Sequence, residues 1–267
     1  MYEYYDEHGR NELAWRRHIS PYRIVVAEIM LQQTQVSRVE EYFRQWMRDY
    51  PSWKALSQAP LKSVLMSWQG LGYNRRGKYL QDIAKIVTGQ YHGRLPSDRN
   101  ELEALPGIGH YTAGSIRAFA FNMPDVFMET NIRTVLFHHF YSGSKKNIKQ
   151  IDDGELLELL EKCIESDERA KNNPRELYWA LMDYGSHLKK TVGNLNTKSK
   201  TYAKQSRFDG SRRQLRAQIL RYVLHHGPIN KKKIIEQSGR DQDLVIELLG
   251  ELTKEESISR KGHSYFV

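Results

Sequence analysis

The chain has 267 residues, a formal net charge of +9 and a pI of about 9.4. This length suits about two domains, and the basic balance favours a polyanionic partner. The sequence holds one cysteine, Cys163, which excludes a disulfide within the chain and a four-cysteine metal or iron–sulfur site. It contains no apolar run of 18 residues and no apolar signal core near residue 1, so we expect no membrane segment and a cytoplasmic location.

Apolar residues at helical spacing dominate the first 190 residues. A Ser-Pro start followed by this period predicts a helix over residues 21–47. Further helices are predicted at 53–58, 60–68, 75–90, 98–104, 111–121, 131–140, 153–166 and 174–188. Glycine and proline punctuate these segments. The pattern predicts an all-α body with short loops over residues 1–188.

The composition changes after residue 188. Residues 189–213 hold eight Lys and Arg and a single acid, Asp209. We interpret 189–211 as a basic linker, or alternatively as an arm that neutralises phosphates through residues such as Lys198, Lys200 and Lys204.

The last part, 212–267, predicts three helices and a β-hairpin, which is the order of a small winged-helix-like unit. Its third predicted helix carries Asp243, Glu247 and Glu251. Acids on that helix repel phosphates, so we expect a packing or partner module and not a sequence reader.

The segment "LPGIG", residues 105–109, joins two predicted helices. Gly107 and Gly109 permit a tight turn and a close backbone approach, and the N–H groups at the next helix start can hold a phosphate, sometimes through a monovalent cation. His110 opens that helix. The pattern indicates a helix-hairpin-helix phosphate site, with an ordinary tight helix–helix turn as the alternative.

Two carboxylates stand out on different elements. Glu28 lies beside an apolar helical stripe, where burial raises the pKa of a carboxyl group towards that of a general acid at neutral pH. Glu129 follows an apolar run and precedes a helix, so it is either a helix-start acid or half of a catalytic pair. Cleavage of a base from its sugar needs one acid for the leaving base and one carboxylate for the sugar cation. The base must also leave the stack, so side chains such as Gln32, Gln33 and Tyr73 are needed to fill the gap.

Five segments fall in the order, and at about the spacing, of the MutY adenine glycosylases. They are "WRR…PYRIVVAEIMLQQTQV", "WQGLGYNRRGKYL", "LPGIGHYTAGSI", "ETNIRTVL" and "ALMDYG". The chain thus resembles, over roughly residues 13–190, this branch of the helix-hairpin-helix DNA glycosylases, a superfamily that also holds endonuclease III and thymine-mismatch glycosylases. The resemblance implies a fold of two helical lobes, here with the winged-helix-like unit added.

The resemblance also implies roles for individual residues. Glu28 matches the acid that protonates the leaving adenine, and Asn131 matches an Asn beside the second catalytic carboxylate. Tyr111 occupies the position where bifunctional relatives carry a nucleophilic Lys, which implies a monofunctional enzyme. Other matches concern DNA and the base pocket: Gln32, Gln33 and Tyr73 match residues that enter the DNA stack, Trp15 and Arg16 match a pair near the base pocket, and Trp179 stands where relatives carry a polar Glu or Gln.

The chain departs from the family pattern at several points. The family's catalytic Asp is Glu129 here, one methylene longer, and a displacement of about 1 Å at a catalytic group can cost on the order of a hundredfold in rate. The iron–sulfur loop expected after "MDYG" is replaced by the basic 189–213 segment, so we expect no cofactor. The family's 8-oxoguanine-reading domain is expected to be absent.

Together these features predict a monomeric, nucleoid-associated, monofunctional glycosylase of base-excision repair. Its expected substrate is double-stranded DNA with a mispaired adenine opposite guanine or 8-oxoguanine. Two alternatives remain open: a uracil or thymine mismatch glycosylase, and a non-catalytic binder of damaged DNA.

Overall fold

The computed structural model describes residues 1–142, 151–199 and 207–267, which form two compact units. The first unit combines 1–28 with 96–204, and the second combines 29–95 with 205–267. This division differs from the predicted 1–188, 189–211 and 212–267, because the C-terminal segment shares a unit with residues 29–95. None of the described helices is long and apolar enough to cross a membrane.

The first unit is entirely helical in its described part. Helix α3 (Pro21–Leu31) begins in this unit and ends in the second. The other helices of the unit are α1 (Tyr2–His8), α2 (Ala14–Arg17), α8 (Arg99–Glu103), α9 (His110–Phe121), α10 (Thr130–Tyr141), α11 (Asp153–Ser166), α12 (Glu168–Asn172) and α13 (Pro174–Thr191). A 3₁₀ turn follows at Leu195–Lys198. The all-α prediction is confirmed for this part of the chain.

A close approach between α10 and α13 fixes the centre of the first unit. A Cβ atom on Gly185 of α13 would lie 2.2 Å from the Asn131 carbonyl oxygen of α10. Only glycine fits at that distance. Phe127 and Tyr178 stack beneath, with ring centroids 4.0 Å apart. This packing holds the start of α10 against α13.

The second unit contains helices from both of its segments, 29–95 and 205–267. They are α4 (Val36–Asp49), α5 (Trp53–Gln58), α6 (Leu61–Ser67), α7 (Arg75–Gly89), α14 (Arg212–His226), α15 (Lys231–Ser238) and α16 (Gln242–Lys254). Three short strands complete it: β1 (Ile229–Asn230), β2 (Ser259–Lys261) and β3 (Ser264–Phe266). The strands form an antiparallel sheet in the order β1-β3-β2, with Ile229 opposite Tyr265 and Lys261 opposite Ser264. The predicted helix–helix–helix–hairpin order is therefore confirmed.

The C-terminal segment has a core that continues into residues 29–95. Leu65 of α6 is 1% exposed and belongs to the same apolar cluster as Leu220 and Val223 of α14 and Leu249 of α16. Burial of such side chains stabilises each by about 1.5–3 kcal/mol. The predicted role in packing thus has a physical basis in a shared core.

The single helix predicted over 21–47 is wrong in its middle. Helix α3 ends at Leu31, α4 begins at Val36, and Gln33 between them has a φ of +54°. Apolar periodicity continues through both helices, so the sequence pattern did not reveal the break. The buried Arg76 guanidinium binds the carbonyl groups of this turn and supplies the partners that a continuous helix would have provided.

Candidate active site

Glu28 is a buried carboxyl group on α3 of the first unit. It is 8% exposed, and Ile24, Val25 and Ile29 around it on α3 are at most 2% exposed. Burial raises the pKa of Glu28 to about 7; the Ser115 hydroxyl of α9 and the Arg16 charge oppose the rise, and the Glu129 charge adds to it. The side chain is therefore about half protonated at pH 7 and largely protonated below it, so a proton is available for general acid catalysis.

Glu129 is the N-cap of α10. Its Oε2 accepts a hydrogen bond from the Asn131 N–H at 2.6 Å, and its Oε1 accepts one from Asn131 Nδ2 at 3.2 Å. Burial raises the pKa of Glu129, while the N–H groups of Asn131 and Ile132, the Asn131 amide and the Lys189 charge oppose that rise. A helix N-terminus favours a negative charge, so its donors stabilise the ionised form of this carboxyl group.

Tyr111 stands in the first turn of α9, beside both carboxyl groups. Burial raises the pKa of Tyr111 well above its ordinary value, and the charges of Glu28 and Glu129 raise it further. Its ring meets the Phe127 ring edge-on at a centroid distance of 5.6 Å. The hydroxyl thus stays protonated and can donate a hydrogen bond, but it cannot act as an ionised nucleophile near neutral pH.

The two carboxyl groups are close enough for each to affect the same neighbours, yet their surroundings differ. Glu28 has burial as the dominant influence, whereas Glu129 has three hydrogen-bond donors and a lysine charge. Unequal environments of this kind assign acid and base roles within a carboxylate pair. The arrangement can supply a proton from one side chain and negative charge from the other.

Arg16 lies beside Glu28, and Trp179 lies beside Arg16. The Arg16 guanidinium carbon is 5.1 Å from the centroid of the Trp179 ring, and the Phe119 ring stacks on Trp179 at 6.0 Å. Arg16 is 7% exposed and also interacts with Glu28 through its charge. Trp15 is 5% exposed and belongs to the core, so its ring offers little surface to a ligand. Arg16 and Trp179 are therefore the predicted pocket residues whose contacts the structure places together.

The predicted phosphate-binding hairpin forms between α8 and α9. Leu105 and Ile108 are each 4% exposed and anchor it, while Gly107, at a φ of +75°, and Gly109 are exposed. Gly109 is the N-cap of α9, and a Cβ there would meet nothing within 4 Å. Exposed His110 contacts Arg99 at 2.9 Å and Glu103 at 2.9 Å. The free space beside Gly109 leaves room for an external group at the helix N-terminus.

The residues predicted to enter a DNA stack lie in the second unit. Gln32, Gln33 and Tyr73 line a common cleft of about 350 Å³. Gln33 and Tyr73 have φ angles of +54° and +45°. A left-handed backbone at such residues costs of order 1–3 kcal/mol each, so the surroundings must hold it in place.

Arg76 provides that restraint. Its side chain is buried and donates to the carbonyl oxygens of Ile29, Met30 and Gln32 on one side of the cleft. It also donates to Leu71 and Gly72 on the other side, each at 3.1 Å. Burial lowers the pKa of Arg76 to about 10. One guanidinium therefore joins the two turns that carry the three predicted residues.

Sequence reasoning missed three residues that support these sites. Asp183 lies within "ALMDYG", Arg76 lies within "GLGYNRRGKYL", and Ser115 lies within "LPGIGHYTAGSI". Two signals in the sequence could have identified two of them: Asp183 is an acid within an apolar helix, and Arg76 is an arginine next to a glycine-rich turn. Both are buried, at 3% for Asp183 and 6% for Arg76.

The structure does not describe the side chains of the three lysines predicted to contact DNA. Lys200 and Lys204 lie outside the described residues, as does the side chain of Lys198. Within the described part of the chain, no group of three or more His, Cys, Asp and Glu is placed to hold a metal ion.

Comparisons with known proteins identify the family of the chain. Residues 26–162 match the family described as "HhH-GPD superfamily base excision DNA repair protein". An adenine DNA glycosylase of Buchnera aphidicola subsp. Baizongia pistaciae is 37% identical over 163 residues, covering 61% of this chain and 44% of that protein. One from Mycolicibacterium smegmatis is 40% identical over 137 residues, covering 51% and 46%. The chain spans about half the length, or somewhat less, of these curated relatives.

Solved structures show the same fold. A thermostable thymine-DNA glycosylase superposes with a TM-score of 0.56 at 23% identity, covering 67% of this chain and 80% of that one. A trapped endonuclease III–DNA covalent intermediate superposes with a TM-score of 0.50 at 20% identity, covering 65% and 76%. At these identities the likeness extends to the fold alone.

Proposed function

The chain belongs to the HhH-GPD superfamily of base excision DNA repair proteins, and from this premise we propose that it is a monofunctional DNA glycosylase. It hydrolyses the N-glycosidic bond of a mispaired base that has been flipped out of the duplex. The base is adenine opposite guanine or 8-oxoguanine; the curated relatives are named adenine DNA glycosylases. The observation that carries the proposal is the unequal carboxyl pair of Glu28 and Glu129.

In the proposed reaction, protonated Glu28 gives its proton to a ring nitrogen of the flipped base. The bond between C1′ and the base nitrogen breaks, and its electron pair leaves with the base. Ionised Glu129 stabilises the positive charge that develops on the sugar. Water then forms a bond to C1′, and its proton returns to the Glu28 carboxylate, which restores the acid.

Tyr111 supports the monofunctional assignment. A lyase in this fold needs an amine nucleophile that forms a covalent bond to C1′. Tyr111 has no amine, and its buried hydroxyl stays protonated. It instead donates a hydrogen bond within the reacting centre. Strand cleavage after base loss therefore requires an external base or a second enzyme.

The exposed hairpin at Gly107–Gly109 binds a DNA phosphate next to this centre, and Gln32, Gln33 and Tyr73 occupy the gap left by the flipped base. Arg16 and Trp179 line the base pocket. Positively charged groups elsewhere on this basic chain increase affinity without sequence preference.

The test is a single-turnover reaction on a duplex with one A·G mismatch, analysed with and without alkali treatment. We expect strand breaks at the adenine only after alkali, together with release of free adenine. Borohydride should trap no covalent enzyme–DNA adduct. Breaks without alkali, or a trapped adduct, would show a lyase and refute the monofunctional assignment.

A further inference from the structure

A second cleft, of about 470 Å³, lies within the second unit. It is bordered by the turn that carries Tyr73 and by one face of α14. Arg213, Arg216, Ala217, Arg221 and Leu224 recur at helical spacing and therefore share that face. The C-terminal segment thus forms a wall of this cleft in addition to packing against α6.

The cleft is strongly basic. Four arginines line it: Arg38, Arg213, Arg216 and Arg221. No Asp or Glu is among the described residues that line it. Arg216 forms an ion pair with Glu255 of the adjoining region, which leaves the local charge positive. Such a concentration of guanidinium groups attracts an anion, and phosphate is the group whose geometry they match best.

Two of the three acids of α16 that argued against DNA binding in the sequence are engaged in ion pairs. Glu247 and Glu251 both bind Arg212, with distances of 2.8 Å and 2.6 Å. Arg212 does not line the cleft, whereas its neighbour Arg213 does. The acidic helix therefore neutralises one arginine of α14 and leaves the basic face next to Tyr73 intact.

Two aromatic rings border the arginines. Tyr73 is 40% exposed and Phe208 is 51% exposed. Arg213 Nη1 donates to the Tyr73 hydroxyl at 2.7 Å, and the Arg213 guanidinium carbon lies 5.8 Å from the Tyr73 ring centroid. Aromatic rings next to arginines are the combination on which proteins stack single unpaired bases and hold their phosphates.

We propose that this cleft binds one unstacked nucleotide of DNA. Phe208 stacks on its base, and Arg213 and Arg221 hold its phosphate groups. The C-terminal segment then belongs to the DNA interface. The proposal rests on the proposed function only in taking DNA as the ligand, and its ligand is a nucleotide other than the one that reacts at Glu28.

The test measures equilibrium binding by fluorescence anisotropy over a range of salt concentrations. The variant is the double substitution Arg213→Gln and Arg221→Gln. The matched control is Lys232→Gln with Arg240→Gln, which removes the same charge from exposed positions of the same unit outside the cleft. We expect the salt slope of the first variant to fall by up to about 1.8, at roughly 0.9 for each lost phosphate contact. A slope equal to that of the control would overturn the proposal.

A second pair of variants tests the stacking. Phe208→Ala should weaken binding to a duplex with one mismatch by about tenfold while changing binding to a fully paired duplex much less. Phe208→Trp, which keeps a ring, should restore binding. An equal loss on both duplexes would leave only a phosphate surface and would refute the nucleotide pocket.

Base excision is measured separately, at saturating enzyme. Wild-type protein that excises no base, but loses mismatch binding on Phe208→Ala, would refute the proposed function and retain the cleft. Normal excision with no effect of the cleft variants on binding would refute the cleft proposal and retain the proposed function. Unchanged melting temperatures of the variants establish that they fold.

Discussion

Arg16 and Asp183 form a buried two-pronged ion pair in the first unit. Arg16 Nη1 donates to Asp183 Oδ2 at 2.7 Å, and Nη2 donates to Oδ1 at 2.9 Å. Arg10 adds bonds from its backbone N–H and its guanidinium to the same carboxylate. Asp183 on α13 thereby fixes Arg16, which contacts Trp179 and whose charge opposes the rise in the pKa of Glu28.

Asp183→Asn should lower the free energy of unfolding at pH 7, because it leaves buried Arg16 without its counter-charge. The expected loss is roughly 3–5 kcal/mol, which corresponds to about 10 °C in melting temperature. Burial alone would raise the pKa of Asp183, but hydrogen bonds and charge from Arg16, with help from Arg10, hold it below its ordinary value.

The sign of its pH dependence follows from that lowered pKa. The stabilisation is present above the unfolded-state pKa of about 3.9 and is lost as the pH falls through the lower folded-state pKa. Urea unfolding of the wild type and of Asp183→Asn between pH 7 and pH 3 measures how their difference in free energy of unfolding changes with pH. Asp209→Asn, at an exposed position, is the control. A constant difference across this range would contradict the ion-pair explanation.

Glu28→Gln should abolish base excision and leave DNA binding nearly unchanged, since the acid is lost and the phosphate contacts remain. General acid catalysis typically contributes about 10²–10⁴-fold, so a variant with more than about a tenth of the wild-type rate would disprove the role. Because the pKa of Glu28 is raised to about 7, the wild-type single-turnover rate should fall as the pH rises above 7. Exposed Glu158→Gln is the control and should keep both the rate and the pH profile.

The same substitution should stabilise the protein at pH 8. A buried carboxyl group with a raised pKa destabilises the folded state increasingly as the pH rises from about 4.5 to about 7. The shift corresponds to roughly 3 kcal/mol as an upper value, at about 1.4 kcal/mol per unit. Thermal unfolding of Glu28→Gln at pH 8 and pH 4.5 thus also shows that lost activity is not lost folding.

Glu129→Gln should remove activity, whereas Glu129→Asp should keep part of it. Negative charge stabilises the sugar cation, and Gln has none, although its amide oxygen can still cap α10 at Asn131. Melting temperatures of both variants should therefore change little, and single-turnover rates should separate them. Full activity in Glu129→Gln would reduce this residue to a helix-start acid.

Arg76→Lys should damage the Gln32–Gln33 and Tyr73 turns together. A lysine ammonium keeps the charge but cannot reach the carbonyl groups on both sides that the guanidinium fork binds. We expect a loss of about 3 kcal/mol or more in the free energy of unfolding, from several unsatisfied buried carbonyls. Binding should also lose its preference for mismatched over paired duplex. Arg75→Lys, at the adjacent exposed position, is the control; equal effects at both positions would refute the positioning role.

Local patterns in the sequence predicted much of this fold. The "LPGIG" turn, the helices around it and the C-terminal hairpin follow from glycine, proline and apolar spacing, which act within a few residues. The break between Leu31 and Val36 did not follow, because its cause is Arg76, more than 40 residues away. Periodicity carries no information about such a partner.

The candidate site likewise combines features that local patterns predict with features that depend on distant contacts. Burial of Glu28 followed from its place beside an apolar stripe, whereas its pairing with Ser115 and the role of Asp183 depend on contacts between α3, α9 and α13. The acids of α16 were interpreted from charge alone as unfavourable to DNA. Their partner Arg212 lies on another helix and changes that interpretation.

The last prediction concerns the substrate, and its test is single-turnover excision on duplexes that carry A·G, A·8-oxoguanine, U·G, T·G and A·T. Adenine in A·G and A·8-oxoguanine should be excised and adenine in A·T spared, because a mismatch lowers the cost of unpairing a base before it is flipped.

The opposite base should matter less. The preference for A·8-oxoguanine over A·G should be modest unless the cleft between the Tyr73 turn and α14 reads the opposite base. In that case Phe208→Ala should reduce the preference, whereas Lys232→Gln with Arg240→Gln should not. The Trp179 ring, which stacks on Phe119, would meet the base through its face, and a ring face discriminates less between bases than a polar contact does. Excision of U·G or T·G with adenine untouched would refute the adenine assignment and retain the glycosylase. Tight binding to every mismatch without excision of any base would instead identify a non-catalytic binder of damaged DNA.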